Sequence, residues 1–181
     1  AVKEYLKEYL PGPIVIKSDD AYEWYQPSNS IGRMHGYHGN FLVALRALAY
    51  MKLLGKEGLD TLGAYAVLNA RYLSSIISKV LPLAYSKPCM HEFVSTSKEV
   101  KKSHKIKAYD IGKALLDKGF HSPTIYFPLI VEEALMFEPT ETQSVETLDE
   151  LAQTLSDIIE DLKTNNDKLN QYPRNLPVGR P

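Results

Sequence analysis

The residues best suited to chemistry lie in two short loops, and the first loop is rich in glycine. It covers residues 28–39 and carries Arg33, His35 and His38 beside three glycines. A guanidinium can bind a carboxylate, and an imidazole can exchange protons near neutral pH, so this set could contact a substrate or a cofactor. Glycine lets the backbone approach a ligand or a neighbouring chain closely. Two interpretations stay open for this loop: ligand binding, and packing between domains.

The second loop holds His121 and Thr124 and follows a predicted helix that ends at Gly119. Pro123 restricts the backbone there, and loops between rigid elements carry most binding residues. We therefore expect His121 and Thr124 to lie near the mouth of an active site. The alternative is structural, since His121 could instead hydrogen-bond the C-terminus of the helix.

No complete catalytic motif accompanies these residues. The sequence has no glycine-rich phosphate loop, no zinc-ligand spacing of Cys and His, and no Gly-x-Ser-x-Gly turn. We therefore assign no catalytic residue and no metal ligand within the chain. The one His-Lys pair, His104-Lys105, lies in a lysine-rich segment where nothing would desolvate the amine. Lys105 is accordingly interpreted as a surface lysine and not as a cofactor lysine.

The composition is that of a folded globular protein with little net charge. The 181 residues include 21 Lys plus Arg and 22 Asp plus Glu, and the formal net charge is -1. Neither nucleic acid nor an anionic membrane is therefore expected as a partner. A single cysteine, Cys89, excludes an internal disulfide, and no export signal or long apolar run is present. These features predict a cytoplasmic location.

Hydrophobic periodicity and turn residues predict a mixed order of strands and helices. An aromatic hairpin, formed by residues 14–17 and 22–25, precedes the glycine-rich loop. Helices are predicted at residues 41–54, 59–81, 110–118 and 145–162, and strands at residues 91–95, 124–130 and 135–137. Gly55 and Pro82 end the first two helices, and Ser144 caps the last one. The lysine-rich segment 97–107 is expected to be a solvated loop. The predicted fold class is α/β of the α+β kind, a small sheet covered by helices.

Four stretches of the sequence resemble the decarboxylating glycine dehydrogenases, the P-proteins of the glycine cleavage system. Residues 110–124 match a helix that ends in Gly-Phe-His-x-Pro-Thr, and residues 135–142 resemble Leu-Met-x-Glu-Pro-Thr-Glu-Ser. Residues 66–73 are similar to Ala-x-Leu-Asn-Ala-Asn-Tyr, and residues 91–93 match His-Glu-Phe. The second subunit of the two-subunit forms, more than the single-chain form, is similar to this chain at residues 30–33, 39–41 and 173–180. The resemblance covers nearly the whole chain and identifies it as a C-terminal portion.

The resemblance implies a fold-type-I pyridoxal-phosphate architecture. Residues 1–56 would belong to the end of the large domain, residues 57–165 to a small C-terminal domain with a largely antiparallel sheet, and residues 166–181 to an extended tail. The implied enzyme decarboxylates glycine on pyridoxal phosphate and passes the aminomethyl group to the lipoyl arm of the H-protein, with subunit 1 as a second partner. Its cofactor lysine would precede Ala1. The chain alone is therefore expected to be inactive and to bind no pyridoxal phosphate.

Two alternatives remain beside this interpretation. One is another fold-type-I enzyme, such as an aminotransferase or a cysteine-desulfurase-like protein, and the other is a non-catalytic α/β interaction domain. The isolated chain is also expected to self-associate. The reason is that the nearly all-apolar helix 41–54 and the aromatic hairpin would lack the surface on which they pack.

Overall fold

The computed structural model describes residues 2–165, 171–173 and 175–176. The chain divides into two compact units, one ending at Gly55 and the other beginning at Lys56. Each unit is built around its own small antiparallel sheet. The glycine-rich loop lies in the first unit, and the loop with His121 lies in the second.

The first unit contains a two-stranded hairpin, which confirms the sequence prediction. Strand β1 (Ile14–Ser18) pairs antiparallel with β2 (Ala21–Tyr25), so that Ile14 lies opposite Tyr25. In the turn between the strands Asp19 adopts a positive φ of 50°. Aspartate tolerates this left-handed conformation better than most residues, so the polar turn residues suit the hairpin.

A carboxylate joins the hairpin to the glycine-rich loop. Glu8, in a 3-10 helix over Glu4–Tyr9, accepts hydrogen bonds from the Ser28 amide at 3.0 Å and from the Tyr25 hydroxyl at 2.7 Å. Both donors favour the charged carboxylate, the Ser28 amide most, and they lower the pKa of Glu8. The glycine-rich loop therefore starts from a fixed point.

Helix α1 (Phe41–Ile77) is divided at Gly55, whose φ of 65° and ψ of -172° are not helical. The sequence predicts this break, because glycine adopts a positive φ without steric cost. The apolar side chains of the part before Gly55 are largely exposed in this chain, Phe41 by 75%. The part after Gly55 ends at Ile77, earlier than the predicted end at Leu81.

The second unit adds three strands and three helices to the end of α1 within the described residues. The strands are β3 (Phe93–Thr96), β4 (Thr124–Ile125) and β5 (Ala134–Phe137), and the helices are α2 (Lys98–His104), α3 (Ala108–Asp117) and α4 (Val145–Thr164). The sheet is antiparallel in the order β3-β5-β4. Ser144 caps α4 by accepting the Thr147 amide at 3.3 Å, as predicted. The structure therefore confirms a small sheet covered by helices.

The core of this unit lies between the sheet and the buried faces of α3 and α4. Buried positions of α4 recur at three- and four-residue steps: Leu148, Ala152, Leu155, Ile158, Ile159 and Leu162. This spacing places them on one face of the helix. On α3, Ile111 and Leu115 are fully buried in the same cluster.

Two further segments differ from the sequence prediction. The segment 97–107 contains α2 and is not a solvated loop, because Lys101 forms an ion pair with the buried Glu133. The strand predicted at residues 124–130 ends at Ile125, where Tyr126 turns the backbone with a φ of 60°. Both predictions are wrong because contacts from distant parts of the sequence decide these segments.

The described residues of the C-terminal tail pack on the second unit. Tyr172 is buried, and its hydroxyl donates to Asp161 Oδ2 at 3.3 Å. The Asp117 carboxylate, at the end of α3, accepts the backbone amides of Asn175 and Leu176, the latter at 3.2 Å. Most of the extended tail predicted for residues 166–181 lies outside the described residues.

Within the described part of the chain, no helix combines the length and the apolar character that a membrane span requires. In the same residues no three His, Cys, Asp or Glu side chains are grouped so that they could hold a metal ion.

Candidate functional site

A cavity of about 350 Å³ in the second unit brings together the predicted residues His121 and Thr124. Its walls come from the loop between α3 and β4, from the residues that follow β5, and from α4. Glu138 lines it as well, so an imidazole, a hydroxyl and a carboxyl group share one opening. Such an arrangement can bind a small polar ligand and exchange a proton with it.

Local packing fixes the loop that carries His121. Helix α3 ends where Gly119 adopts a φ of 88°, and the Phe120 amide then donates to a carbonyl of the helix at 3.0 Å. Gly112 lies so close to the loop that a Cβ there would meet Ser122 Oγ at 2.7 Å. Phe120 packs against the core, whereas His121 is exposed and lines the cavity. Backbone amides therefore donate to carbonyl groups at the end of the helix. This is the role that the structural alternative gave to His121.

The segment after β5 is held in place from α1. Asn69 Nδ2 donates to the Thr140 carbonyl at 2.8 Å and to the Gln143 carbonyl at 3.1 Å. Three residues later the Tyr72 hydroxyl donates to Asp149 Oδ1 at 2.7 Å, and this carboxylate raises the pKa of Tyr72. Three hydrogen bonds thus fix α1 against the cavity wall and the first turns of α4.

An imidazole and an aromatic pair join the beginning of β3 to the end of β5 and to Glu138, which follows it. His91 Nε2 lies 3.9 Å from Glu138 Oε1, and the Phe93 ring stacks on Phe137 with centroids 5.2 Å apart. The four stretches that carry the family resemblance therefore meet around the residues that follow β5. Sequence reasoning found these stretches as separate motifs and did not predict that they converge.

The cavity lacks the groups that would hold pyridoxal phosphate, the cofactor that the resemblance implies. Among the described residues that line it there is neither a lysine for a covalent bond nor an arginine for the phosphate. Lys105 of the His-Lys pair is exposed at the C-terminal end of α2. Holding that cofactor would therefore need residues outside this cavity.

In the first unit, Arg33 and His38 line a small cavity of about 110 Å³ together with Trp24. The His38 ring meets the Tyr37 ring edge-on, with centroids 5.1 Å apart. Positive φ values occur at all three glycines of this loop, Gly32, Gly36 and Gly39. His35 is not among the residues that line the cavity. The structure thus brings two of the three candidates together.

Sequence reasoning missed one buried acid that organises the second unit. Glu133 is 6% exposed and adopts a φ of 51°. Its Oε1 lies 2.7 Å from Lys101 Nζ, and its Oε2 accepts the Ala108 amide at 2.7 Å in the first turn of α3. A carboxylate is favourable at a helix N-terminus, and this one raises the pKa of Lys101 through their hydrogen bond. The available signal was a pair of adjacent acids, Glu132-Glu133, directly before an apolar strand.

Asn69→Asp is expected to lower the free energy of unfolding of the second unit by about 2 kcal/mol. A carboxylate cannot donate to the two carbonyls that the Asn69 amide now holds, and it repels both. Denaturant unfolding measures the change. Gln153→Ala, which removes one exposed amide contact on α4, serves as the control and should stay within about 0.5 kcal/mol of the original. Equal stability for the two variants would mean that Asn69 does not anchor the segment.

Glu132 should give the second unit part of its acid sensitivity. Lys98, at 3.2 Å, and then Lys101 hold the pKa of Glu132 below its usual value. A lowered pKa stabilises the fold above the unfolded pKa near 4.5, and that stability is lost as the pH falls through the folded pKa. Unfolding measured from pH 7 down to acid should therefore show a smaller loss for Glu132→Gln. Glu150→Gln, on the exposed side of α4, is the matched control, and a profile for Glu132→Gln that does not differ from that of the control would contradict the assignment.

Comparison with known proteins places these features in a family context. A family model described as glycine dehydrogenase, C-terminal domain, matches residues 62–177. A protein from Treponema denticola named a probable glycine dehydrogenase (decarboxylating) subunit 2 is 48% identical over 179 residues, which make up 98% of this chain and 37% of that protein. A protein of the same name from Thermotoga maritima is 44% identical over 179 residues and is covered to 38%. The chain thus spans less than two fifths of the length of these curated relatives.

A solved structure shares the fold. It is a crystal structure of glycine decarboxylase (P-protein) of the glycine cleavage system in an inhibitor-bound form, with a TM-score of 0.63 and 22% sequence identity. The match covers 87% of this chain and 38% of that one. It confirms the predicted fold class.

Proposed function

We propose a function on the premise that this chain belongs to the glycine dehydrogenase family, whose C-terminal domain model covers residues 62–177. The whole protein is a decarboxylating glycine dehydrogenase of the two-subunit kind, and this chain is the C-terminal part of its subunit 2. The shared name and the coverage of the relatives support this proposal. Its location is the cytoplasm, which cell fractionation can test.

The whole enzyme decarboxylates glycine with pyridoxal phosphate and delivers the aminomethyl group to the lipoyl arm of the H-protein. Subunit 1 is its second partner. When bound, pyridoxal phosphate supplies an acceptor for the electron pair that departing CO2 leaves behind. The cofactor lysine lies upstream of Ala1, so the present chain contributes walls and positioning and not the covalent bond.

Within this chain, residues 57–165 act as the small domain and residues 1–56 as the end of the large domain. His121 and Thr124 lie on the substrate side of the small domain, where their side chains can form hydrogen bonds with the substrate. Arg33, His35 and His38 lie close to the substrate or cofactor in the complete site. The observation that carries this proposal is the convergence of four separate stretches around the residues that follow β5, which line a cavity together with His121 and Thr124.

An assay of the whole protein tests the function. The protein is combined with subunit 1, lipoylated H-protein and pyridoxal phosphate, and release of CO2 from carboxyl-labelled glycine is measured. CO2 release that requires the H-protein is the expected result. Amino-group transfer to a keto acid without CO2 release would favour an aminotransferase, and sulfide release from cysteine would favour a desulfurase-like enzyme. No reaction with any of these substrates would favour a non-catalytic interaction domain.

The isolated 181-residue chain should form dimers. The apolar side chains of α1 before Gly55 and the aromatic Trp24 are exposed, and such surfaces associate when their partner is missing. Light scattering over a dilution series measures the mass. Leu53→Asp should shift the chain toward monomer, whereas Lys52→Asp, at the neighbouring exposed position, should shift it less. A strict monomer at every concentration would contradict this proposal.

A further inference from the structure

The loop between β4 and β5 exposes a strongly apolar tip. Leu129 is 88% exposed and Ile130 is 86% exposed, and Phe127 beside them is 52% exposed. We call residues 126–131 the apolar loop. Large apolar side chains that are exposed next to each other in one short loop are typical of a contact surface.

The base of the apolar loop is clamped from three sides. The Tyr126 amide donates to the Ala134 carbonyl at 2.9 Å, and the Thr96 hydroxyl donates to the Glu132 carbonyl at 2.6 Å. The Ser97 amide donates to the Glu133 carbonyl at 3.0 Å, and the Glu133 side chain is fixed by Lys101 and Ala108 as described above. The two ends of the loop are therefore fixed before any partner arrives, which reduces the entropy lost on docking.

The size of the tip indicates what covers it. Three large side chains, two of them almost fully exposed, offer on the order of 400 Å², whereas a stable interface between separate molecules needs about 800 Å² per partner. A contact of this area alone gives at most a weak complex between separate molecules, whereas it holds within one polypeptide because the tether raises the effective concentration of the two surfaces. The curated relatives supply such a polypeptide, since this chain covers 37% of one and 38% of another.

We infer that the apolar loop docks into an apolar pocket on the cofactor-binding large domain of the same polypeptide. Leu129 and Ile130 enter the pocket, and Glu133 with Lys101 holds the loop base from behind. This inference rests on the proposed function, because that function supplies the large domain. It assigns the apolar loop a docking role that is separate from the cavity lined by His121.

Thiol labelling of the whole, cofactor-loaded protein tests the docking. Leu129→Cys is compared with Lys102→Cys, an exposed position on α2, and mass spectrometry of the digested protein measures maleimide uptake at each site. Position 129 should label at least about tenfold more slowly than position 102, and both should label at full rate in denaturant. The protection should be the same at all protein concentrations and without subunit 1 or the H-protein.

The other outcomes overturn the inference in distinguishable ways. Rapid labelling at position 129 would show that nothing covers the loop. Protection that grows with protein concentration would indicate a second copy, and protection only with subunit 1 or the H-protein present would indicate that partner. Glycine decarboxylation is measured on the same samples. Rapid labelling in an active protein would contradict the docking inference but not the proposed function. Protection in a protein without activity would contradict the proposed function but not the docking.

Discussion

Glu133→Ala is expected to lower the free energy of unfolding of the second unit by about 3 kcal/mol. The carboxylate is buried between α2 and α3, where it accepts the Ala108 amide and pairs with Lys101. Its removal leaves a buried amide without this acceptor and an ammonium without this partner. The side chain of Lys101 is 38% exposed and can regain water, so we expect the lower end of the cost of breaking a buried ion pair. Denaturant unfolding followed by circular dichroism measures the change.

Glu133→Gln separates the two contributions of this side chain. The amide oxygen can still accept the Ala108 amide, while the charge is lost, so the decrease should be about half that of the alanine variant. Alanine and glutamine both meet the same positive φ, and the backbone therefore affects both variants alike. Glu150→Ala on the surface of α4 should change stability by no more than about 0.5 kcal/mol. An alanine variant within about 1 kcal/mol of the original would contradict the organising role of Glu133.

The isolated chain is expected to bind no stoichiometric pyridoxal phosphate. Among the described residues that line the cavity of His121 there is no lysine, and Lys105 is exposed at the end of α2, where water competes for its amine. Titration with the cofactor should therefore produce no saturable absorbance band of a lysine-bound form. Borohydride trapping should spread over many surface lysines without preference. The whole protein should give the saturable absorbance band, and the isolated chain should give none.

Lys105→Ala is the control for this titration. If the isolated chain gave a saturable band and Lys105→Ala abolished it, the interpretation of Lys105 as a surface lysine would be wrong. A band that survived this change would place a cofactor site elsewhere in the chain, for example at Lys87 in the groove that Arg71 also lines. Either result would require a new account of how the chain relates to the cofactor.

Local signals in the sequence were sufficient for several elements. The hairpin follows from two β-prone runs around a polar turn, and α4 follows from its apolar spacing and the Ser144 cap. The break at Gly55 follows from the freedom of glycine at positive φ. In each case the residues that decide the structure lie within a few positions of each other.

Contacts between distant residues explain what the sequence did not predict. The lysine-rich sequence of α2 is typical of a solvated loop. It does not show that Lys101 pairs with Glu132 and Glu133, which lie about thirty residues later in the chain. The strand expected at residues 124–130 has suitable residue types, but the clamp on the apolar loop turns the chain after Ile125. Neither set of contacts can be predicted from local patterns in a single sequence.

In the candidate site, too, local signals could be read from the sequence, whereas contacts between distant residues could not. His121 and Thr124 were found because they lie in a loop fixed by glycine and proline, and the structure places both on one cavity. The role of Asn69 was hidden, because its partners are carbonyl groups far along the chain, which carry no side-chain signature. His35 has the same residue type as His38 but does not share its cavity, and residue type alone could not separate them.

The central claim is that this chain belongs to a cofactor enzyme whose cofactor lysine lies outside it. Borohydride reduction of the whole, cofactor-loaded protein fixes the bond between lysine and pyridoxal phosphate, and peptide mapping then locates the modified residue. The account predicts one modified lysine, in a peptide upstream of Ala1, and unmodified peptides throughout this chain. A modified Lys105, or any other stoichiometrically modified lysine between Ala1 and Pro181, would contradict it.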